Sequence, residues 1–311
     1  MTWVSERNLV AAISNAGGFG IIASGAMPPE ILDTEIRETK KLTTHPFGVN
    51  LITMHPQLLE LIDVCLENQV SHIVLAGGLP PSEAIQKIKS AGVKLLCFTP
   101  TVSLGLRLIR QGVDALIIEG NEAGGHVGPV STSVLAQEIL PKIHDVPVFV
   151  AGGIGRGESI VTYLKMGASG CQLGTRFVCA TECQAHPNFK KAFIRAQARD
   201  AAISVQLDPR FPVIPVRALN NQAFYKFLEF QKEMIEQVNS GQIPLDEARL
   251  EIEHFWGGAL RRAVVDGDVE QGSLMAGQSV GMVTKEQSTS EIIQELVTQA
   301  ETFLVTGKMA T

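Results

Sequence analysis

Residues 117–128, IIEGNEAGGHVG, combine an apolar run with a loop of four glycines and a single histidine, His126. An imidazole exchanges protons near neutral pH. Glycines beside it would let a flat ligand lie against bare backbone. The chemistry this suggests is proton transfer at a small substrate held against a planar partner. Glu119 and Glu122 lie in the same stretch, as hydrogen-bonding groups or as solvated loop acids.

A second glycine loop, AGGIGRGES (151–159), follows the run VPVFV, and Gly174-Thr175 lies in the next apolar run. Backbone amides freed by glycine can approach phosphate oxygens, and a threonine hydroxyl adds a donor. Phosphate on Gly152, Gly153, Gly174 and Thr175 is the expectation. Asn50, in GVN, and Gln172 stand near strand ends where they could meet a ligand ring, with Leu173 beside Gln172. Gln278, in SLMAGQS, could close over the site. No His, Asp and Glu spacing suits a metal, so none is expected.

These residues need a scaffold. A short apolar run followed by an amphipathic helical segment recurs along the chain, with runs at 17–24, 46–52, 71–78, 94–101, 114–120, 146–153 and 170–178. The segment 56–68 shows the helical spacing, with apolar residues at 58, 59, 61, 62, 65 and 66. Strands that alternate with helices imply parallel pairing, and continuous apolar runs imply burial on both faces. The pattern predicts a TIM (β/α)8 barrel with seven of its eight strands, the missing one being the first. In such a barrel the loops after the seventh and eighth strands are where phosphate binds, and His126 ends the sixth. Residues 184 to about 270 carry no strand run and read as a helical insertion, with 213–220 an irregular connection. Expected domains are a barrel at 1–183, a helical lid at 184–274 and a return to the barrel at 275–311.

Composition narrows the function. The chain has 311 residues, 45% hydrophobic and 19% charged, with formal net charge −6. Nucleic-acid binding would call for a basic excess and aromatic platforms, and aromatics are only 5%. No apolar run reaches a membrane span, and no signal peptide is evident. Five cysteines without zinc spacing read as reduced thiols of a cytoplasmic protein.

The pieces MTWVSERNLVAAISNAGGFGII, HPFGVNL, EGNEAGGHVG, VFVAGGIGRGES, CQLGTRFVCATEC, AHPNFK and GSLMAGQSVGMV resemble the FMN-dependent nitronate monooxygenases and their relatives, the flavin enoyl-acyl-carrier-protein reductases. The resemblance implies a TIM barrel with a helical second domain. It implies FMN, with phosphate at Gly152, Gly153, Gly174 and Thr175 and the ring near Met1, Asn50, Gly125 and Gln172. His126 matches the family's catalytic histidine. Nitronate oxidation with O2 is the expected activity, and NAD(P)H-dependent reduction of an enoyl thioester is the alternative. Thr99-Pro100-Thr101 stands where nitronate enzymes often carry a lysine. Partners implied are a small-molecule substrate, an acyl carrier protein for the alternative, and a second copy of the chain as a homodimer. Lys190, Lys191, Arg195 and Arg199, taken as one helix face, would meet an acidic carrier.

In the family the first strand ends in Gly-Met at the flavin, and here Met1 stands in that methionine's place. Flavin should therefore be held less well by residues 1–311 than by a version extended upstream. Flavin absorbance per protein after desalting reads this, and equal occupancy overturns it.

Overall fold

The computed structural model describes residues 1–25, 27–211, 215–255 and 258–310, without the side chains of Leu250, Glu253 and His254. Each predicted run contains a strand: β1 (Ile21–Ala23), β2 (Gly48–Ile52), β3 (His72–Ala76), β4 (Lys94–Phe98) and β5 (Ala115–Glu119). A two-residue strand, β6 (Gly125–His126), comes next, then β7 (Val148–Ala151) and β8 (Gly170–Gln172). Seven of these form one curled parallel sheet in the order β1-β2-β3-β4-β5-β7-β8. This is a TIM-barrel arrangement with seven strands, as the run count predicts. The run at 170–178 is strand only to Gln172, and Thr175–Phe177 is a 3-10 turn.

Side-chain alternation divides the sheet. Val49, Leu51, Ile73, Leu75, Leu95, Cys97, Leu116, Ile118, Val148 and Val150 point outward into the layer beneath the helices. Val74, Leu96, Ala115, Ile117 and Ala151 point inward, with Ile21, Phe98 and Phe149 packed on them. The helix Leu58–Glu67 buries Leu58, Leu61, Ile62 and Cys65, the expected 3.6-residue stripe. Burying each such side chain contributes roughly 1.5–3 kcal/mol.

Between β8 and β1 the described residues make no strand pairing. The turn at residues 1–5 lies across the upper end of that gap. Ser5 accepts from the Ala23 amide through its carbonyl and donates its hydroxyl to the Ile21 carbonyl at 2.7 Å. On the other side, a Cβ on Gly174 would lie 2.9 Å from the Met1 Sδ.

The insertion departs from the expectation of helix alone. It contains β9 (Ala201–Ile203) and β10 (Val216–Leu219), which join β6 in a three-stranded antiparallel sheet. Within the segment expected to be irregular, Val216–Leu219 is thus strand, while Pro212, Val213 and Ile214 lie outside the described residues. A four-residue apolar stretch around a lone arginine, outside the repeating run-and-helix pattern, does not announce its partner, so its pairing is decided in the folded chain. Helices Gln222–Asn239 and Leu245–Phe255 pack on each other around Phe211, Phe227, Met234, Ala248 and Ile252. A second core joins residues from both sides of position 183, including Val4, Phe177, Phe189, Phe193, Ala276 and Ile292.

The last helix, Thr289–Thr306, starts in a capping box of Ser288 and Glu291 and ends at Gly307 in the left-handed conformation. It returns to the barrel against the helix Gly157–Lys165. Gly157 permits this contact, because a Cβ there would overlap the Leu296 carbonyl oxygen, while its amide donates to Gln299 Oε1 at 2.9 Å. Gly157→Ala should destabilise the fold by about 3 kcal/mol, the upper range for overpacking. Urea unfolding measures it, and an unchanged midpoint would show that the two helices part easily.

Candidate functional site

Side-chain parity aims polar residues at the C-terminal end of the barrel interior. Glu119 follows Ala115 and Ile117 on the inner face of β5. In register it sits opposite Ala151, which sits opposite Gln172. Asn50 faces inward between Ala23 and Val74. Among the described residues, the side chains of Asn50, Glu119, His126, Gln172 and Gln278 make no hydrogen bond within the protein. None of them is sealed from solvent, so each is open to a partner from outside the protein. Several of them turned toward one place mark where a ligand would supply the partners.

His126 is exposed and stands on β6, paired with Val216 of β10. It therefore does not end a barrel strand. The chain leaves the barrel at Glu119, turns, and enters the small sheet six residues later. Partial desolvation holds the imidazole below its usual pKa, aided by the nearby positive charge of the Met1 amine. The same amine acts on Glu119, so its charge is felt at both side chains. Burial pushes the Glu119 carboxyl up to about 7.

The glycines of residues 120–128 serve two purposes. A Cβ on Gly120 would overlap Thr132, and one on Gly124 would lie 2.5 Å from the Gly277 amide nitrogen. These two let loops pack closely against each other. Gly125, at φ +83°, has only the Met275 Sδ near it, at 3.6 Å from an added Cβ, and Gly128 has open space. Gly125 is thus the glycine that leaves room beside His126.

Glu122 is structural. Its Oε2 accepts from the Thr132 amide and hydroxyl, each at 2.7 Å, and its carbonyl accepts from the Gln278 amide at 2.9 Å. Gly152 and Gly153 adopt φ of +96° and +74°, and an added Cβ on Gly153 would lie 2.8 Å from the Glu122 Cβ. Gly155 is packed under Met282. Among the described residues the amides of Gly153, Gly155 and Gly174 donate to no protein acceptor. The Thr175 Oγ1 accepts from the Gly277 amide at 2.9 Å and keeps its own proton to donate. Free amides and this hydroxyl form a donor set suited to a phosphate. Leu173 lies between Gln172 and Gly174, half-buried. Gln278 begins the 3-10 turn Gln278–Met282, which packs over the loops.

Other expected features sit apart. Lys190 is buried and donates to the Ala180 carbonyl, and its helix ends at Arg195, before Arg199. The four-residue basic face is therefore reduced to Lys191, Arg195 and Arg199, all exposed. Thr99 is buried, donating to the Thr101 carbonyl, so no charged side chain stands at the end of β4. All five cysteines are free thiols, and burial pushes four of them up to about 12 and Cys183 to about 11. No described helix is long and apolar enough to cross a membrane. Arg217 was not singled out from the sequence. A lone arginine inside the apolar stretch PVRAL was the available signal, and its place beside Gly125 in register arises only on pairing.

The sequence model of one protein family, described as nitronate monooxygenase, matches residues 1–64 and 57–299. Among curated relatives, a 5-hydroxy-7a-methyl-1-oxo-octahydro-1H-indene-4-carboxyl-CoA dehydrogenase of Rhodococcus jostii (strain RHA1) is 35% identical over 222 residues. That match spans 71% of this chain and 61% of the relative's length. The structure of FabK from Thermotoga maritima superposes with a TM-score of 0.87 at 34% identity, covering 98% of this chain and 92% of FabK. A nitroalkane oxidase from Streptomyces ansochromogenes gives 0.78 at 25% identity, covering 98% and 94%.

The raised Glu119 pKa carries a stability cost with a defined sign. An acid whose folded pKa lies above its ordinary 4.5 destabilises the fold as pH rises from there through 7, and not below. In flavin-free protein, Glu119→Gln should therefore leave stability unchanged near pH 4 and raise it by up to about 3 kcal/mol at pH 8. Urea titrations across this range measure the difference, and a pH-independent gap would show the carboxyl to be solvated.

Proposed function

The chain belongs to the nitronate monooxygenase family, a family of oxidoreductases, and we propose that it is an FMN-dependent enzyme in which His126 moves a substrate proton. The observation that carries this reading is the unpartnered imidazole beside Gly125, next to inward-facing polar groups that no protein atom satisfies.

The residues fit the cofactor. The amides of Gly153 and Gly174 with the Thr175 hydroxyl would take the phosphate, in the loops that include Gly152. Asn50 and Gln172 would hydrogen-bond the ring edge, near Met1, Gly125, Leu173 and Gln278. Bound FMN supplies a two-electron acceptor or donor. His126 is poised as a base, since desolvation favours its neutral form. It would take a proton at the substrate carbon, or return one, at the ring nitrogen facing the pocket.

Oxidation of alkyl nitronates with O2 is the activity the family implies. A second reading, NAD(P)H-dependent reduction of an enoyl thioester, is favoured by one observation: the likeness to FabK, at 34% identity, exceeds that to the nitroalkane oxidase, at 25%. The uncharged Thr99-Pro100-Thr101 agrees with it. An acyl carrier protein would then meet Lys191, Arg195 and Arg199.

Anaerobic rapid mixing of the FMN-loaded protein separates the two. Flavin bleaching by a small alkyl nitronate alone supports oxidation. Bleaching by NADH or NADPH, with recolouring by an enoyl thioester, supports reduction, and bleaching by none of them overturns both. His126→Asn should retain FMN and lower turnover by about 10²–10⁴-fold. In the unaltered protein, the rise of kcat/KM with pH should be complete below the pH expected of an ordinary histidine, because the base form is populated earlier. Undiminished turnover in the variant would remove His126 from the reaction.

A further inference from the structure

The loop that carries His126 is held from two sides. Its first half is tied to the barrel and the C-terminal segment through Glu122, which accepts from Thr132 and from the Gln278 amide. Its second half is tied to the insertion. Gly125 and His126 pair with Arg217 and Val216, and the Val127 amide donates to the Pro215 carbonyl at 3.0 Å. The position of His126 is thus set by β10.

Arg217 is the residue of β10 with an unexplained cost. It is 5% exposed, and among the described residues no carboxylate stands within ion-pair distance of it, the Glu122 charge only partly offsetting its burial. Burying a guanidinium without a direct ion pair is expensive, and an apolar side chain of similar size would serve packing better. Instead its Nε donates to the Asn121 carbonyl at 2.8 Å, and its Nη1 donates to the Ala201 carbonyl. Asn121 opens the His126 loop and Ala201 begins β9. The planar fork spans the two carbonyls in one rigid group, which a lysine ammonium cannot reproduce. Arg217 sits opposite Gly125 in the ladder, one position from the residue paired with His126, so its side chain and the imidazole leave opposite faces of the small sheet.

We propose that Arg217 is a positioning residue for His126: its guanidinium clamps the Asn121 carbonyl to the Ala201 carbonyl and so fixes the two-residue strand on which the imidazole stands. It acts through the backbone and touches neither substrate nor flavin. The insertion thereby helps assemble the site as well as covering it, and a shift of β10 would move the proton-transfer group. The effect on turnover rests on the reading of His126 given above.

The test uses Arg217→Lys and Arg217→Ala in the full chain. In flavin-free protein, the His126 ring resonance, assigned by its loss in His126→Asn, should move or broaden, and the Val127 amide should exchange faster with solvent. The urea midpoint of Arg217→Lys serves as the control for global unfolding. In the FMN-loaded protein kcat should fall about 10–100-fold, the scale of an ångström-sized misplacement, with little change in KM. Added guanidinium should restore part of the rate in Arg217→Ala, which loss of stability alone would not allow. If Arg217→Ala does not fold, Arg217→Lys decides by resonance, exchange and kcat. An unmoved His126 resonance with normal Val127 exchange in Arg217→Lys overturns the proposal, even if no substrate is turned over. Failure of the unaltered chain to turn over any substrate, with the resonance moved, overturns the reaction and leaves the clamp supported.

Discussion

Glu122 joins the three segments on which the site is built. Its carboxylate binds the start of the helix Thr132–Ile139, its carbonyl binds the Gln278 amide, and its Cβ fills the space above Gly153. Around it, Gly120, Gly124, Gly152 and Gly277 bring backbones within distances that a side chain would prevent. Loops after different barrel strands usually diverge over the rim. Here they are drawn into one layer, and the amides of Gly153 and Gly174 are left without protein acceptors.

That layer explains why the uncommitted polar groups are tolerated. Glu119 occupies the inward position above Ala115 and Ile117 on β5, Asn50 and Gln172 occupy those above Gly48 and Gly170, and none of the three has a hydrogen-bond partner in the protein. Of the three, Glu119 costs stability in the unliganded fold once it ionises, as its raised pKa shows. The outward layer of the sheet, with leucines, valines and isoleucines fully buried under helices, offsets that cost. Scaffold and site therefore share the same strands but use opposite faces of them.

The insertion adds a different kind of constraint. Its helical hairpin has a core of its own, while β9 and β10 reach back to the His126 strand. The imidazole is carried between a rigid barrel rim and a segment that packs largely on itself.

The repeating runs and helical stripes determined the barrel, because alternate burial on two faces of a parallel strand demands continuous apolar residues at that spacing. Seven strands, the return of the C-terminal segment to the barrel and the candidate phosphate loops were all legible from local sequence. The glycines at 120 and 124 were visible too, but their purpose was not, since it depends on Thr132, Ala276 and Gly277, which lie far along the chain. Likewise Lys190 shares its helix with exposed Lys191, and only packing against Ala180 buries one and frees the other. Strands β9 and β10 are as short as barrel strands β1, β7 and β8 but stand outside the repeating run-and-helix pattern, and they exist because each finds a partner. Local propensity writes the long elements. Pairing across distant segments decides the short ones, and His126 and Arg217 stand on those.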